Sequence, residues 1–326
     1  FELPQYTAIF FNQDSAPVLK ESDLRMALNL ALNKSKILAD ALGNEGEVID
    51  SPILKGEVGY SSKIEFPGLD VEKANQILDK NWKKIQPEDF FKTEYDTALK
   101  ARQNELDATK KNTSTPAEEL AAETEKITKS ASDSIRQDMD AEQSFYRKNT
   151  KASGEILAIT ITTADTPEYQ QVAQSVAKMW RAVGVKTKIQ IVNSSQISKD
   201  ILRERNYQAL LYGEIVGSDP DPYPFWHSSQ ISYPGLNLSM FVNRTADKLL
   251  EDARATTTEQ KRAEQYEKFQ QILAKEIPAI FLYTPVYNFL AAKEIKGITF
   301  KQIFSPADRF NDLSGWYIKT KRQWIR

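Results

Sequence analysis

The chain has 326 residues, 40% of them hydrophobic, with a formal net charge of -2 and no cysteine. That length supports one large core or two moderate ones. The near-neutral balance argues against electrostatic capture of nucleic acid or an anionic membrane, and no apolar run is long enough to span a bilayer.

The first predicted element is a strand at 6–11 (YTAIFF). A helix follows from Ser22 or Asp23 to Leu42, with Leu24, Leu28, Ala31, Leu32 and Leu38 at helical spacing and Gly43 as the stop. Residues 46–67, with Pro52, Gly56 and Gly59, read as a surface-hugging loop. Residues 70–78 form a short helix carrying Val71, Ala74, Ile77 and Leu78 on one side. The composition then changes. No glycine occurs between Gly68 and Gly154, and residues 83–151 hold 14 acidic and 13 basic side chains. Two helices are predicted there, 87–111 and 116–148, paired as an antiparallel hairpin. Thr115, Pro116 and Glu118 suit the start of the second, and Leu120, Ile127, Ala131, Ile135, Met139 and Phe145 supply a thin apolar stripe. The alternation of sign within the segment is unlike a nucleic-acid tail.

Residues 155–163 (EILAITITT) predict a strand. Asp165 or Thr166 caps the helix that follows, with Val172, Ala173, Val176, Ala177 and Trp180 on one face and Gly184 at its end. Residues 185–192 return as a strand, 197–204 form a helix and 207–212 (YQALLY) a third strand. This is a parallel α/β unit, whose strands lack clean alternation because helices cover both sheet faces. Ligands of such sheets bind beyond the carboxyl ends of the strands. Helices at 243–255 and 258–276 follow, then a strand-like stretch at 278–292 and an aromatic, basic tail.

The loop after the third strand, GEIVGSDPDPYPFWHSSQ, carries the functional candidates. Three prolines stiffen it, Asp219 and Asp221 offer carboxylates, and Tyr223, Phe225 and Trp226 offer flat apolar surface. It reads either as a ligand-binding wall or as a capping loop whose aspartates satisfy turns. His227 is the only histidine, so three-histidine zinc sites are excluded. Beside Trp226 it reads as structural, with ligand contact the alternative. Tyr283, Tyr287 and Asn288, near the end of the last strand, read either as ligand contacts or, for a strand aromatic, as core. Patterns for zinc proteases, EF-hands, serine hydrolases and phosphate loops are absent. No cofactor or metal is expected. Adjacent loop carboxylates two residues apart flank a scissile sugar bond poorly, which argues against a carboxylate-based hydrolase and against enzymes generally.

The segments GSDPDPYPFWHSSQ, PGLNLSMFVN, ADKLLEDAR, IPAIFLYTPVYNF and DRFNDLSGWYI, in that order, resemble the carboxyl-terminal half of the family 5 extracellular solute-binding proteins. That family includes oligopeptide-, dipeptide- and some nickel-chelate-binding proteins. YTAIFFNQDSAP followed by LRMALNLALNKSKI is similar to its passage from first lobe to second. The resemblance covers 1–82 and 154–326, and 83–151 departs from it as an inserted helical arm. It implies an α/β lobe like that of a type II periplasmic-binding protein, with a parallel-rich sheet flanked by helices. Residues 1–12 are then a strand of the first lobe, 13–284 the second, ligand-binding lobe, and 285–326 the return to the first. Most of the amino-terminal lobe is then missing from the chain. Asp308, Arg309, Phe310, Trp316 and Tyr317 read as first-lobe packing with an internal ion pair. The implied activity is capture of a peptide-like solute, with Asp219 matching the aspartate that pairs with the peptide's amino terminus and Asp221 the near alternative. The implied partner is an ABC transporter permease. The implied setting is extracytoplasmic, as a monomeric periplasmic protein or cell-surface lipoprotein. A peptide-binding or scaffold domain using the arm as its interface is the competing function.

Overall fold

The strands, in chain order, are β1 (Gln5–Phe11), β2 (Gly46–Val48), β3 (Trp82–Ile85), β4 (Tyr146–Asn149), β5 (Ala158–Ala164), β6 (Lys186–Val192), β7 (Ala209–Ile215) and β8 (Ala279–Pro285). The helices are α1 (Ser22–Leu30), α2 (Lys34–Leu42), α3 (Val71–Asp79), α4 (Pro87–Lys110), α5 (Ala117–Asp138), α6 (Pro167–Ala182), α7 (Tyr223–Trp226), α8 (Arg244–Ala255) and α9 (Glu259–Glu276). The computed structural model describes residues 3–110, 117–150, 154–217, 221–299, 303 and 306–318.

Six strands form one sheet in the order β2-β8-β1-β7-β5-β6. β5 runs parallel to both β6 and β7, whereas β1 is antiparallel to β7 and β8, and β2 to β8. Four of the six strands therefore point the same way, and their carboxyl ends share one edge.

Side chains alternate across this sheet with the period of two that strands impose. Ile9 and Phe11 of β1, Leu211 of β7 and Ile280 and Leu282 of β8 face a core completed by α1, α2 and α6. Ala8, Phe10, Leu210 and Phe281 face the opposite core, under α7, α8 and α9. The five residues predicted for the inner face of α6 are all buried, and Trp180 Nε1 donates to the Leu28 carbonyl (3.0 Å). Gly184 follows at φ +88°, where a Cβ would stand 2.5 Å from the Phe145 ring, so both backbone and space require glycine.

Three local expectations are revised. The first long helix is two, α1 and α2, because Asn33 caps the second by accepting from the Lys36 amide (2.9 Å). The predicted helix at 197–204 is a short π-helical turn, Ser198–Leu202. The helix expected to reach residue 148 ends at Asp138, and β4 pairs with β3 in antiparallel register from Trp82↔Asn149 to Ile85↔Tyr146. The aromatic segment around Tyr146 finds a ladder partner more than sixty residues back, which local periodicity cannot reveal. Thr115 and Pro116, proposed as the start of the second arm helix, lie outside the described residues.

The arm is a helix pair on a two-stranded base. Phe91, early in α4, lies under the Arg136 guanidinium late in α5 (5.2 Å to the ring centroid), so the helices run antiparallel. Phe90 stacks on Tyr146 (3.9 Å between centroids) in a small core with Ile85. β1, in the segment expected to belong to the first lobe, lies between β7 and β8 and contributes to both cores. Every residue of β1 from Tyr6 to Phe11 is buried, which only a central strand achieves.

Candidate functional site

The carboxyl ends of β5, β7 and β8 meet the amino end of β1 around an open crevice of about 470 Å³. Leu3, Gln5 and Thr7 supply one wall, Thr166, Glu168 and Tyr169 of the α6 start another, and Tyr212, Gly213 and Ile215 a third. A second hollow of about 610 Å³ adjoins it across Leu3, bounded by β2, the following loop and Gly217. Together they place concave surface at the sheet edge where α/β folds receive ligands.

Glu168 sits in the first turn of α6, where the helix dipole favours a negative charge. The Tyr283 hydroxyl donates to Glu168 Oε1 (2.8 Å), fixing the carboxylate from the far side of the sheet edge. Burial raises the Tyr283 phenol far above its ordinary pKa, and the Glu168 charge adds to that. Tyr169 is pushed up to about 12 by burial and then by the same carboxylate. Its hydroxyl rests on Gly213, where a Cβ would come within 2.6 Å. Glycine in mid-strand is what lets this phenol reach the sheet.

On the opposite face lies a second acid. Glu214 is buried, and Tyr6 donates to its Oε2 through a short hydrogen bond. Its Oε1 has no partner among the described residues. Burial lifts its pKa to about 8, against the lowering effect of the Tyr6 hydrogen bond and the Arg205 charge. Glu57, which borders the larger hollow, is raised to about 7 by burial although the Leu54 amide donates to it (2.7 Å).

The residues chosen from sequence have different fates. Asp219 lies outside the described residues. Asp221 accepts from Arg254 through Nε (2.7 Å) and Nη2 (2.5 Å) and from the Tyr223 amide (3.0 Å), holding the start of α7. Tyr223 is sandwiched between the Arg254 guanidinium (3.8 Å) and the His227 ring (4.1 Å between centroids). Trp226 is a core residue rather than a ligand-gripping one: it is 1% exposed and packs on Phe10, Phe269 and Phe281. His227 is likewise internal. Its Nδ1 accepts from the Ser229 amide (3.1 Å), which turns Nε2 toward Glu251 (3.4 Å). Tyr283 reaches the crevice only through Glu168. The stiff, aromatic loop is thus braced on α8. Glu168 and Glu214 were missed. A lone acid closing the apolar run YQALLYGEI was a visible signal for Glu214, whereas Glu168 looks like any acidic residue in a first helical turn.

Near the carboxyl end, Arg309 donates to the Tyr287 hydroxyl (2.6 Å), and Trp316 lies between Phe289 and Phe310. Among the described residues, no helix is long and apolar enough to cross a membrane.

An α/β sheet covered by helices on both faces, with a crevice at its carboxyl edge, is the lobe of a type II periplasmic-binding protein. Residues 2–235 match the model of the bacterial extracellular solute-binding proteins, family 5 middle region, and the chain belongs to that family. It is 24% identical over 317 residues to the oligopeptide-binding protein AppA of Bacillus subtilis, covering 96% of this chain and 47% of that one. The structure of that protein with a nonapeptide superposes with a TM-score of 0.68 at 21% identity, over 98% of this chain and 52% of the other. NikZ of Campylobacter jejuni, solved with Ni(L-His), gives a TM-score of 0.64 at 19% identity, over 97% of this chain and 52% of that one. The chain therefore spans about half the length of these relatives.

Proposed function

We propose that this chain forms the larger part of one lobe of a receptor that captures a peptide-like solute outside the cytoplasm and presents it to an ABC-type permease. The observation that carries the reading is the crevice at the carboxyl edge of the sheet, in a chain of this family, with a relative solved holding a nonapeptide. Residues 13–284, completed by β1, supply this lobe. Residues 285–326 lead toward a second lobe whose closure encloses the solute. The receptor acts as a monomer, in the periplasm or as a cell-surface lipoprotein. Asp219 pairs with the solute's amino terminus. Asp221 already holds Arg254, which favours Asp219 over its near alternative for this role.

The test is calorimetry on the full-length gene product with defined tri- to pentapeptides. Asp219→Asn is expected to lower affinity by roughly 2–4 kcal/mol through loss of a desolvated charge pair. Acetylating the peptide should cost the parent protein a similar amount and the variant little more. Independent, additive losses would remove Asp219 from the contact. Failure of every peptide to bind would overturn the function itself.

A further inference from the structure

The crevice lining is chemically uneven. Among the described residues that form it, Glu168 is the only charged one; the others are apolar or neutral polar groups such as Gln5, Thr7, Thr166, Ser194 and Tyr212. Arg309 donates to the Tyr287 hydroxyl at the margin but is not part of the lining. Glu168 is half-buried and makes no ion pair among the described residues with any lysine or arginine. Its one described side-chain partner, Tyr283, donates to Oε1. That bond orients the group. A carboxylate accepts several hydrogen bonds, so Glu168 has acceptor capacity at a cavity that no lysine or arginine among the described residues lines.

We infer that Glu168 is a specificity determinant that receives a basic side chain of the bound solute, an ammonium or guanidinium group, with Tyr283 as its positioning residue. The inference rests on the solute-receptor reading above. The solute's terminal amine is assigned there to Asp219, which follows β7, whereas Glu168 opens α6 after β5. Three features favour a cation at Glu168. Tyr283 holds the carboxylate in place through a hydrogen bond that brings no positive charge to it. The open crevice admits a long, flexible side chain. The phenols of Tyr169 and Tyr212 offer apolar surface to its methylene stem.

The experiment uses the full-length gene product and a matched set of tetrapeptides that differ at one position, lysine, arginine or norleucine, each with a free or acetylated amino terminus. The parent protein should prefer lysine or arginine over norleucine by about tenfold, the range for a partly desolvated charge pair. Glu168→Gln should abolish that preference, with lysine and arginine peptides binding the variant no more tightly than norleucine peptides do. Tyr283→Phe should reduce the preference by about threefold, since it removes one orienting hydrogen bond and no charge. Raising salt should shrink the preference in the parent and change nothing in Glu168→Gln. A parent protein that binds these peptides with equal affinity, or a Glu168→Gln variant that keeps the preference, overturns the inference while leaving the receptor reading intact. So does a variant in which only the effect of acetylation disappears, because Glu168 would then hold the terminus. If none of the peptides binds the parent protein, both readings fall together.

Discussion

The six-stranded sheet and the helical arm solve the same problem of burial with different chemistry. Sheet strands have apolar side chains on both faces, and two continuous cores meet along β1, β7 and β8. Among the described residues, the arm's core is Ile85, Phe90 and Tyr146 with a few half-buried neighbours. It is tied to the body by polar groups instead. Arg147, fully buried, donates to the Val183 carbonyl (2.6 Å), the Trp82 carbonyl (2.9 Å), Asp79 (2.7 Å) and Asn75 (2.6 Å). Lys186, on the sheet-edge strand β6, pairs with Glu94 of α4 (3.0 Å). A region held by area tolerates loss of one contact gradually, while a region held by a few polar ties weakens locally when its most buried tie goes.

That contrast can be broken at its strong side first. Trp226→Ala removes the largest side chain of the second core and should destabilise the whole molecule by roughly 3–5 kcal/mol. Urea unfolding would show the midpoint shift, and a change below 1 kcal/mol would mean that the loop, not the core, owns this residue. Arg147→Met keeps the length of the side chain but leaves buried carbonyls unpaired, at a cost of roughly 2–3 kcal/mol. Hydrogen exchange should then accelerate in α4, α5, β3 and β4 while β1, β7 and β8 keep their protection. Uniform acceleration would show that arm and sheet are one cooperative unit.

The smallest effect sharpens the picture at the sheet edge. Glu214, at about 8, and Glu57, at about 7, both bind their protons more tightly in the folded state than at their ordinary value of 4.5. Folded protein therefore holds more protons than unfolded protein between those values. The stability these groups contribute is full below pH 4.5 and is lost as pH rises through about 7 for Glu57 and about 8 for Glu214. In Glu214→Gln the fall in stability across that window should be shallower by about one proton's worth of slope. Identical slopes in parent and variant would place the Glu214 carboxyl in contact with water.

Much of the body was legible before any coordinates. The run EILAITITT, the helix with Val172, Ala173, Val176, Ala177 and Trp180 inward, and the return strand all form as read, because hydrophobic period, a proline in the first turn and Gly184 agree on one local answer. The boundary between α1 and α2 was missed because leucine spacing continues across Asn33, and only the cap bond to Lys36 tells that the helix restarts there. The β3–β4 base was missed for a different reason: its two strands are short and separated by the whole arm.

The site divides along the same line. The sequence by itself determined that a proline-stiffened loop with two aspartates follows the third strand of an α/β unit, at the end of the sheet where such folds receive ligands. Tertiary structure alone decided which side chains face the crevice. Asp221 is engaged by Arg254, Trp226 is packed among the Phe10, Phe269 and Phe281 rings, and Glu168, which lines the crevice, is held by Tyr283, a residue 115 positions away. Local sequence sets backbone direction and period; the partner that settles a charged or aromatic side chain's orientation comes from wherever the sheet brings distant strands together.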